Sequence, residues 1–295
     1  MPDPSVSPLP SLSEHRVDWP DRAVASLVWL VALLVTGSLL WIVGDLARHG
    51  APELSWSFLT DSPRDAGRAG GILPVVVSTL MILGICLAVC LPMGVGTAIF
   101  LAEFTRTGGL LAHFVRRSLD VLAGVPSIVF GLFGNAFFSI YLGMGFSILS
   151  GGLTLACMVL PILIRSTEEG FRSVPDEYRK AAAALGLSQP ATLWQILLPV
   201  ATPGLVVGLI LGVGRALAET AALLFTSGYV ARMPSSVLDS GRTLSIHIYD
   251  LAMNVPGGES NAYTTALVLI TLLLMINVLT FWIADRWLHR GITHR

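Results

Sequence analysis

The sequence predicts an all-α, polytopic membrane protein with six membrane-spanning helices. Hydrophobic residues make up 54% of the 295 residues and charged residues only 13%, whereas a soluble domain carries about 25% charged residues. The apolar residues also stand in long blocks, and six of these blocks are long enough to cross a bilayer of about 30 Å. The net charge of −1 and the lack of a basic cluster argue against nucleic-acid binding.

Hydropathy places the six spans in order along the chain. The predicted spans are residues 23–46, 71–102, 119–142, 146–164, 200–225 and 264–283. We expect Pro92, Gly94 and Gly96 to kink or break the second span near its end. The segment 124–127, Gly-Val-Pro-Ser, is a candidate break within the third span.

The two termini are predicted to lie in the cytoplasm. Residues 1–21 are rich in Pro and Ser and lack the basic start of a signal peptide, which predicts a disordered cytoplasmic tail. Residues 22–70 would form the first span and an external loop, residues 71–290 the main membrane-embedded core, and residues 291–295 a cytoplasmic C-terminus. Most of the 18 Lys and Arg residues then fall on the inside, as the positive-inside rule requires.

A polar segment, residues 165–199, separates the fourth and fifth spans. Ser173, followed by a proline and an acidic residue, predicts the start of a helix. Gly186 predicts the end of that helix in a left-handed cap, and Ser188 the start of a second short helix. The alanines between them would let another protein approach closely, which favours a docking surface. An ordinary solvated helical hairpin is the alternative.

Small residues recur every four positions on the fifth span, at Gly204, Gly208 and Gly212. This spacing lets helices pack closely, although the sequence leaves open whether the neighbour is this chain or another subunit. The three Cys lie in apolar stretches and the six His are scattered, so we predict no metal site. The only lysine is Lys180, and no phosphate-binding loop is present, so any ATP hydrolysis would need a partner.

The polar segment resembles the loop signature of permease subunits of ABC importers. That signature is Glu-Ala-Ala, three residues, Gly, nine residues, Ile, one residue and Leu-Pro. The residues that match it are Ala181, Ala182, Gly186, Ile196, Leu198 and Pro199. Lys180 stands where the family usually has Glu, and Glu177, one turn earlier, is the candidate substitute.

The resemblance implies the type I ABC importer permease fold over residues 71–290. Residues 165–199 would be the coupling loop, which in this family inserts into a groove on a cytoplasmic ATPase. Within the family the chain is similar to phosphate permeases, those of the PstA type in particular. The segments that carry this second likeness are residues 92–101, 122–134 and 214–226.

The resemblance also implies the setting of the protein. We expect a multi-pass subunit in the lipid of the bacterial cytoplasmic membrane that is not an enzyme and has no cofactor of its own. ATP and Mg would bind to the partner ATPase. The expected partners are a second homologous permease subunit, two copies of the ATPase and an extracytoplasmic phosphate-binding protein.

Two charged residues inside the fifth span, Arg215 and Glu219, are the candidate substrate pathway. They are predicted to lie one turn apart on one helix face, with Arg215 about 22 Å from the cytoplasmic end of the span. A charge at that depth costs about 2.5–3.5 kcal/mol on insertion scales, so it should face the bundle interior or an aqueous path. Arg suits phosphate because its planar fork donates two parallel hydrogen bonds. A structural ion pair between helices is the alternative.

Three functional classes follow from these observations. The favoured class is a permease subunit of an ATP-driven phosphate importer that works by alternating access. The second is the same machine with another oxyanion, such as sulfate or molybdate. The third is a secondary transporter or channel that works alone, which the docking-loop signature disfavours.

Overall fold

The computed structural model describes residues 19–105 and 109–293, with side chains of residues 22–105 and 109–286. The chain divides into two units, Met1–Asp45 and Leu46–Arg295. The first unit contains most of α1 (Trp19–Gly50), whose apolar side chains are exposed from Val24 to Val43. Most of the predicted tail, and the last two residues of the predicted C-terminus, lie outside the described residues.

The second unit is mostly helical, with one two-stranded β-hairpin that encloses a 3-10 turn (Asp65–Gly67) and a non-helical stretch over residues 225–243. Its elements in chain order are α2 (Trp56–Thr60), β1 (Pro63–Arg64), β2 (Ala69–Gly70), α3 (Leu73–Ile99), α4 (Leu110–Ala123), α5 (Ser127–Gly134), α6 (Ile148–Arg172), α7 (Asp176–Ala184), α8 (Gln189–Thr192), α9 (Leu198–Ala218), α10 (Ala221–Leu224), α11 (Leu244–Met253) and α12 (Glu259–Thr293). Three wide π-helical turns adjoin these helices. The turn Phe100–Phe104 extends α3, the turn Asn135–Tyr141 extends α5, and the turn Leu193–Leu197 precedes α9. The strands β1 and β2 pair antiparallel, with Pro63 opposite Gly70.

Hydropathy located most of the spans correctly. Five helices in the described part of the chain are long and apolar enough to cross a membrane, or up to six with the bent pair of α4 and α5. Of the kink or break predicted at Pro92, Gly94 and Gly96, the break is wrong, because α3 continues through all three residues to Ile99; neighbouring groups in a bundle satisfy the backbone that a proline frees. The fourth span runs on to Arg172, where Arg172 pairs with Glu168 one turn earlier on the same helix.

The third span is not one helix. Helix α4 ends at Ala123, and the segment Ser127–Tyr141 starts at an angle of 101° to it. Pro126 disfavours helical geometry at the residue before it, and Gly124 closes the preceding helix. The expectation of a single helix over residues 119–142 is therefore wrong, and the candidate break at 124–127 is confirmed.

Helix α6 lies at the centre of the unit, and two thirds of its apolar window, 67%, is buried. It packs against α3 on one side and α9 on another. A Cβ on Gly204 would lie 2.5 Å from the Cα of Gly170, and one on Gly212 would lie 2.7 Å from Cγ1 of Val159. The small-residue stripe of the fifth span therefore packs against α6 of the same chain.

Helix α11 lies between the fifth and sixth predicted spans, in a stretch where hydropathy predicts no span. Thr243 begins this helix, and its Oγ1 accepts a hydrogen bond from the Ile246 backbone N–H. Beside it, Arg242 forms an ion pair with Asp250 (3.0 Å) and lies 3.3 Å from Nδ1 of His247. Burial, reinforced by the charge of Arg242, lowers the pKa of His247 to about 4. His247 is therefore held neutral inside this part of the fold.

Replacing Gly204 by Val should destabilise the chain by about 1–3 kcal/mol, because the added side chain forces α6 and α9 apart. The readout is the midpoint of thermal unfolding of the purified chain in detergent. Gly96→Val is the matched control, since nothing lies within 4 Å of a Cβ at Gly96. Equal midpoints for the two variants would contradict the close contact.

His247 should make the fold acid-sensitive. Its pKa of about 4 lies below the unfolded value of about 6.5, so the unfolded chain takes up the proton first as the pH falls. Stability is then complete above pH about 6.5 and is lost progressively down to about pH 4, by up to about 3 kcal/mol. The variant His247→Gln should flatten this part of the profile of unfolding midpoint against pH. The exposed His113→Gln should leave it unchanged.

Candidate functional site

The predicted docking residues lie on and just after a helical hairpin formed by α7 and α8: Ile196 is in the π-helical turn that follows α8, and Leu198 and Pro199 begin α9. Gly186 has a φ of +69°, and its N–H donates to the Ala183 carbonyl (3.0 Å), so the predicted left-handed cap is present. Ser173 does not begin α7 as expected. It ends the longer α6 instead, and its Oγ donates to the Gly170 carbonyl (2.8 Å).

The signature residues divide into an inner and an outer set. Ala182 and Leu198 are buried and Ile196 is half-buried. The side chains of Leu198 and Ile196 pack in the same apolar cluster as Phe171. The outer set is exposed to solvent and consists of Glu177, Lys180, Ala181 and Gly186, with Pro199 half-buried. The inner set stabilises the hairpin, so the outer set is the part that a partner protein can reach.

The hairpin is attached to the end of α3 by an ion pair that the sequence did not indicate. Nη2 and Nε of Arg179 donate to the two carboxylate oxygens of Glu103, at 2.6 and 3.1 Å. The same guanidinium donates to the carbonyls of Phe171 (3.1 Å) and Val174 (2.9 Å). The hydrogen bond with Glu103 raises the pKa of Arg179 above its ordinary value. No local pattern could reveal this contact, because the two residues are 76 positions apart.

The second candidate region is a break in the fifth span. Helix α9 ends at Ala218, and Glu219 is extended, with φ −73° and ψ 125°. Oε1 of Glu219 accepts a hydrogen bond from the Ala222 N–H (3.0 Å), and its carbonyl accepts one from Oγ of Ser245 (2.7 Å). The expected continuous helix with Arg215 and Glu219 on one face is therefore wrong, because Glu219 leaves the helix and caps the next one.

Arg215 lies in the last turn of α9, about 26 Å along the helix axis from Leu198. Its Nε is buried and has no hydrogen-bond partner. Among the described residues, Arg215 and Glu219 form no ion pair with each other. An unpaired, buried guanidinium N–H is costly, and its chemistry fits an anion that accepts a hydrogen bond.

Two segments that the sequence singled out meet at this break. A Cβ on Gly131 of α5 would lie 2.8 Å from the Cα of Ala222, and one on Gly134 would lie 2.9 Å from Cγ2 of Thr226. The segment 122–134 therefore packs directly against the segment 214–226. Ser245 completes the contact from α11, and nothing in its sequence context pointed to this role.

The residue types that bind metals are not clustered in the described part of the chain. In the ranges that the structure describes, no group of three or more His, Cys, Asp or Glu side chains is arranged around a common point. Cys86 and Cys90 are buried free thiols, and Cys157 is a half-buried free thiol.

Comparison with known proteins agrees with this architecture. Residues 94–293 match the family described as binding-protein-dependent transport system inner membrane component. The probable ABC transporter permease protein YqgI of Bacillus subtilis is 32% identical over 283 residues, covering 91% of this chain and 94% of that protein. The phosphate transport system permease protein PstA 2 of Mycobacterium bovis is 32% identical over 292 residues, covering 94% and 95%.

A solved structure shows the same fold. It is a bacterial ABC transporter involved in the import of the acidic polysaccharide alginate, with a TM-score of 0.62 and 13% identity, covering 91% of this chain and 98% of that chain. The predicted all-α permease fold is confirmed. The chain belongs to the family of binding-protein-dependent transport system inner membrane components, the non-enzymatic permease subunits of ABC importers, which work with a separate ATPase and a substrate-binding protein.

Proposed function

We propose that this permease carries inorganic phosphate across the cytoplasmic membrane in an ATP-driven importer. The observation that carries the proposal is the buried Nε of Arg215, which has no partner and stands just before the break between α9 and α10. Relatives named as phosphate transport permeases support the choice of anion; one is PstA of Haemophilus influenzae, 33% identical over 263 residues.

The chemistry of the break favours phosphate over sulfate. The Arg215 guanidinium offers hydrogen bonds and a positive charge to an oxyanion. Oε1 of Glu219 is occupied by the Ala222 N–H, and the second carboxylate oxygen remains to accept the proton of a protonated phosphate. Sulfate at neutral pH has no proton to offer, so it would meet the carboxylate as a like charge.

The complete transporter needs further subunits. One Arg does not balance a dianion, so we expect a second, homologous permease to supply another cation in a heterodimer. Two copies of the ATPase would bind the hairpins on the cytoplasmic side, where both termini of this chain would also lie. The outer set of hairpin residues, which includes Lys180 and Gly186, would form the contact with the ATPase.

The proposed mechanism is alternating access. A loaded binding protein docks on the outside, and ATP closes the two ATPase copies. The hairpin moves with them, and because α6 and α9 lead into it, the spans open outward. The anion passes Arg215 and leaves inward after hydrolysis.

Another oxyanion, such as sulfate or molybdate, is the alternative substrate. The same guanidinium would bind it, and the unpaired Nε of Arg215 does not by itself exclude it. A transporter that works alone is disfavoured, because the members of the family depend on a binding protein and an ATPase. Competition between anions therefore decides between the remaining candidates.

Arg215→Gln should abolish phosphate uptake and leave assembly intact, because Gln lacks the charge that offsets the anion. The measurement is uptake by vesicles that contain the chain with its partner subunits, with and without ATP. Excess sulfate should not reduce wild-type uptake. Arg232→Gln, at an exposed position, is the control and should transport normally. Near-normal uptake by Arg215→Gln would return this residue to a structural role, and equal competition by sulfate would favour the alternative substrate.

Gly186→Trp should abolish ATP-driven uptake by blocking the ATPase contact. Nothing lies within 4 Å of a Cβ at Gly186, so the indole would project away from the chain into the docking surface. Gly186→Asn is the control for backbone strain, since Asn tolerates a positive φ. Co-purification of the ATPase and uptake should both fall for Trp and change little for Asn. Full uptake with Trp in place would rule out the docking role.

A further inference from the structure

The contact between the hairpin and the end of α3 is narrow and directional. Glu103 lies in the π-helical turn that ends α3, and Arg179 lies in α7. Their two parallel hydrogen bonds, at 2.6 and 3.1 Å, fix both the distance and the orientation of the two groups. The side chains are only 15% and 28% exposed, so solvent screens this pair less than a surface pair.

Arg179 also ties the hairpin to the end of α6. Its Nη2 donates to the Phe171 carbonyl and its Nη1 to the Val174 carbonyl, at 3.1 and 2.9 Å. Phe171 is in the last turn of α6, and Val174 is in the turn that leads into α7. One side chain therefore joins α3, α6 and α7, and its own position is set by these four hydrogen bonds and a longer one to Oδ1 of Asp176 (3.4 Å).

Apolar packing beside the pair is incomplete. A cavity of about 260 Å³ lies between the end of α3 and the hairpin. Its wall includes both members of the pair and the side chains of Phe104, Leu187 and Leu193. The ion pair thus bridges a gap between two elements. In the part of the chain that the structure describes, it is the only ion pair that joins the hairpin to a spanning helix.

We propose that the Glu103–Arg179 pair transmits movement of the hairpin to the second span. Apolar contacts of Ile99 and Ala102 with the cluster around Phe171 hold the elements together, but they have no fixed direction and let surfaces slide. The bidentate pair makes α3 follow α7 when the ATPase moves the hairpin. Arg179 is then a positioning residue for coupling. This inference rests on the proposed docking of the hairpin to the ATPase.

Loss of the pair should separate ATP hydrolysis from transport. The ATPase contacts the exposed outer set of hairpin residues, which the pair does not touch, so binding and hydrolysis continue. The hairpin moves, but α3 no longer follows it completely, and fewer hydrolysis cycles open the pathway. A purely structural role would instead reduce assembly, or lower hydrolysis and transport in parallel.

The test is the ratio of phosphate imported to ATP hydrolysed, measured on the same vesicles. The complex is purified with its ATPase and partner permease and reconstituted with the binding protein and inorganic phosphate. Glu103→Gln should lower the ratio about tenfold, equivalent to about 1.4 kcal/mol, the scale of one lost charge-assisted hydrogen bond. Asp120→Asn is the matched control: it breaks the exposed ion pair of Asp120 with Arg165, which joins α4 to α6 and does not touch the hairpin. Its ratio should equal that of the wild type.

A charge exchange provides the sharper result. The double variant Glu103→Arg with Arg179→Glu restores an attractive pair, although the new Glu cannot donate to the two carbonyls. Its ratio should exceed that of either single variant, which is the signature of direct coupling between the two side chains. A double variant no better than the singles would overturn the proposal, as would an unchanged ratio in Glu103→Gln or an equal fall in the control.

The experiment distinguishes failure of the proposed phosphate import from failure of the proposed role of the Glu103–Arg179 pair. Wild-type vesicles without ATP-dependent phosphate uptake would contradict the proposed function, whereas coupled wild-type uptake with an unaffected Glu103→Gln variant would contradict only the role of the pair. If Glu103→Gln does not assemble, Glu103→Asp takes its place. Asp keeps the negative charge, but its shorter side chain places the carboxylate farther from the Arg179 guanidinium. This variant should lower the ratio of phosphate imported to ATP hydrolysed, and an unchanged ratio would overturn the proposal.

Discussion

At Gly170 and Gly204, α6 and α9 approach so closely that a methyl group on Gly204 would lie 2.5 Å from the Gly170 Cα. The helical hairpin is connected to both helices of this contact, since α6 leads into α7 and α9 follows α8. A displacement of the hairpin therefore acts on both helices at once. Because α9 ends at the break beside Arg215, the same contact relates the docking surface to the candidate anion site.

Two charged groups of the described chain differ in their partners. Near the hairpin, the carboxylate of Glu168 accepts hydrogen bonds from Arg116 (2.8 Å) and Arg172 (2.9 Å). Arg215 differs, because its buried Nε has no partner. A buried donor left unpaired costs about 1–3 kcal/mol. The binding of an anion, or contact with a group of another subunit, would offset this cost.

Hydropathy was sufficient for the spans because a lipid-exposed or buried helix needs an apolar sequence over its whole length. It could not show the bend between α4 and α5, since an apolar window has the same mean value whether its helix is straight or broken. The sequence indicated the break at residues 124–127 through Gly124 and Pro126, but it gave no sign of the interruption at Glu219, because that interruption depends on a side-chain cap to Ala222 and on Ser245 from a distant helix. The outer hairpin residues were recognisable from spacing, but the partner of Arg179 was not, because ion pairs between distant segments leave no periodic trace.

The chain contains a single lysine, Lys180, and it is exposed on the outer surface of the hairpin. Every other cationic side chain is an arginine, which amine-reactive reagents do not modify under mild conditions. Apart from the α-amino group, such a reagent therefore has one target, at the surface where the ATPase is proposed to bind. The native chain thus carries its own footprinting probe: the rate of lysine modification reports whether the hairpin is covered, without any engineered label.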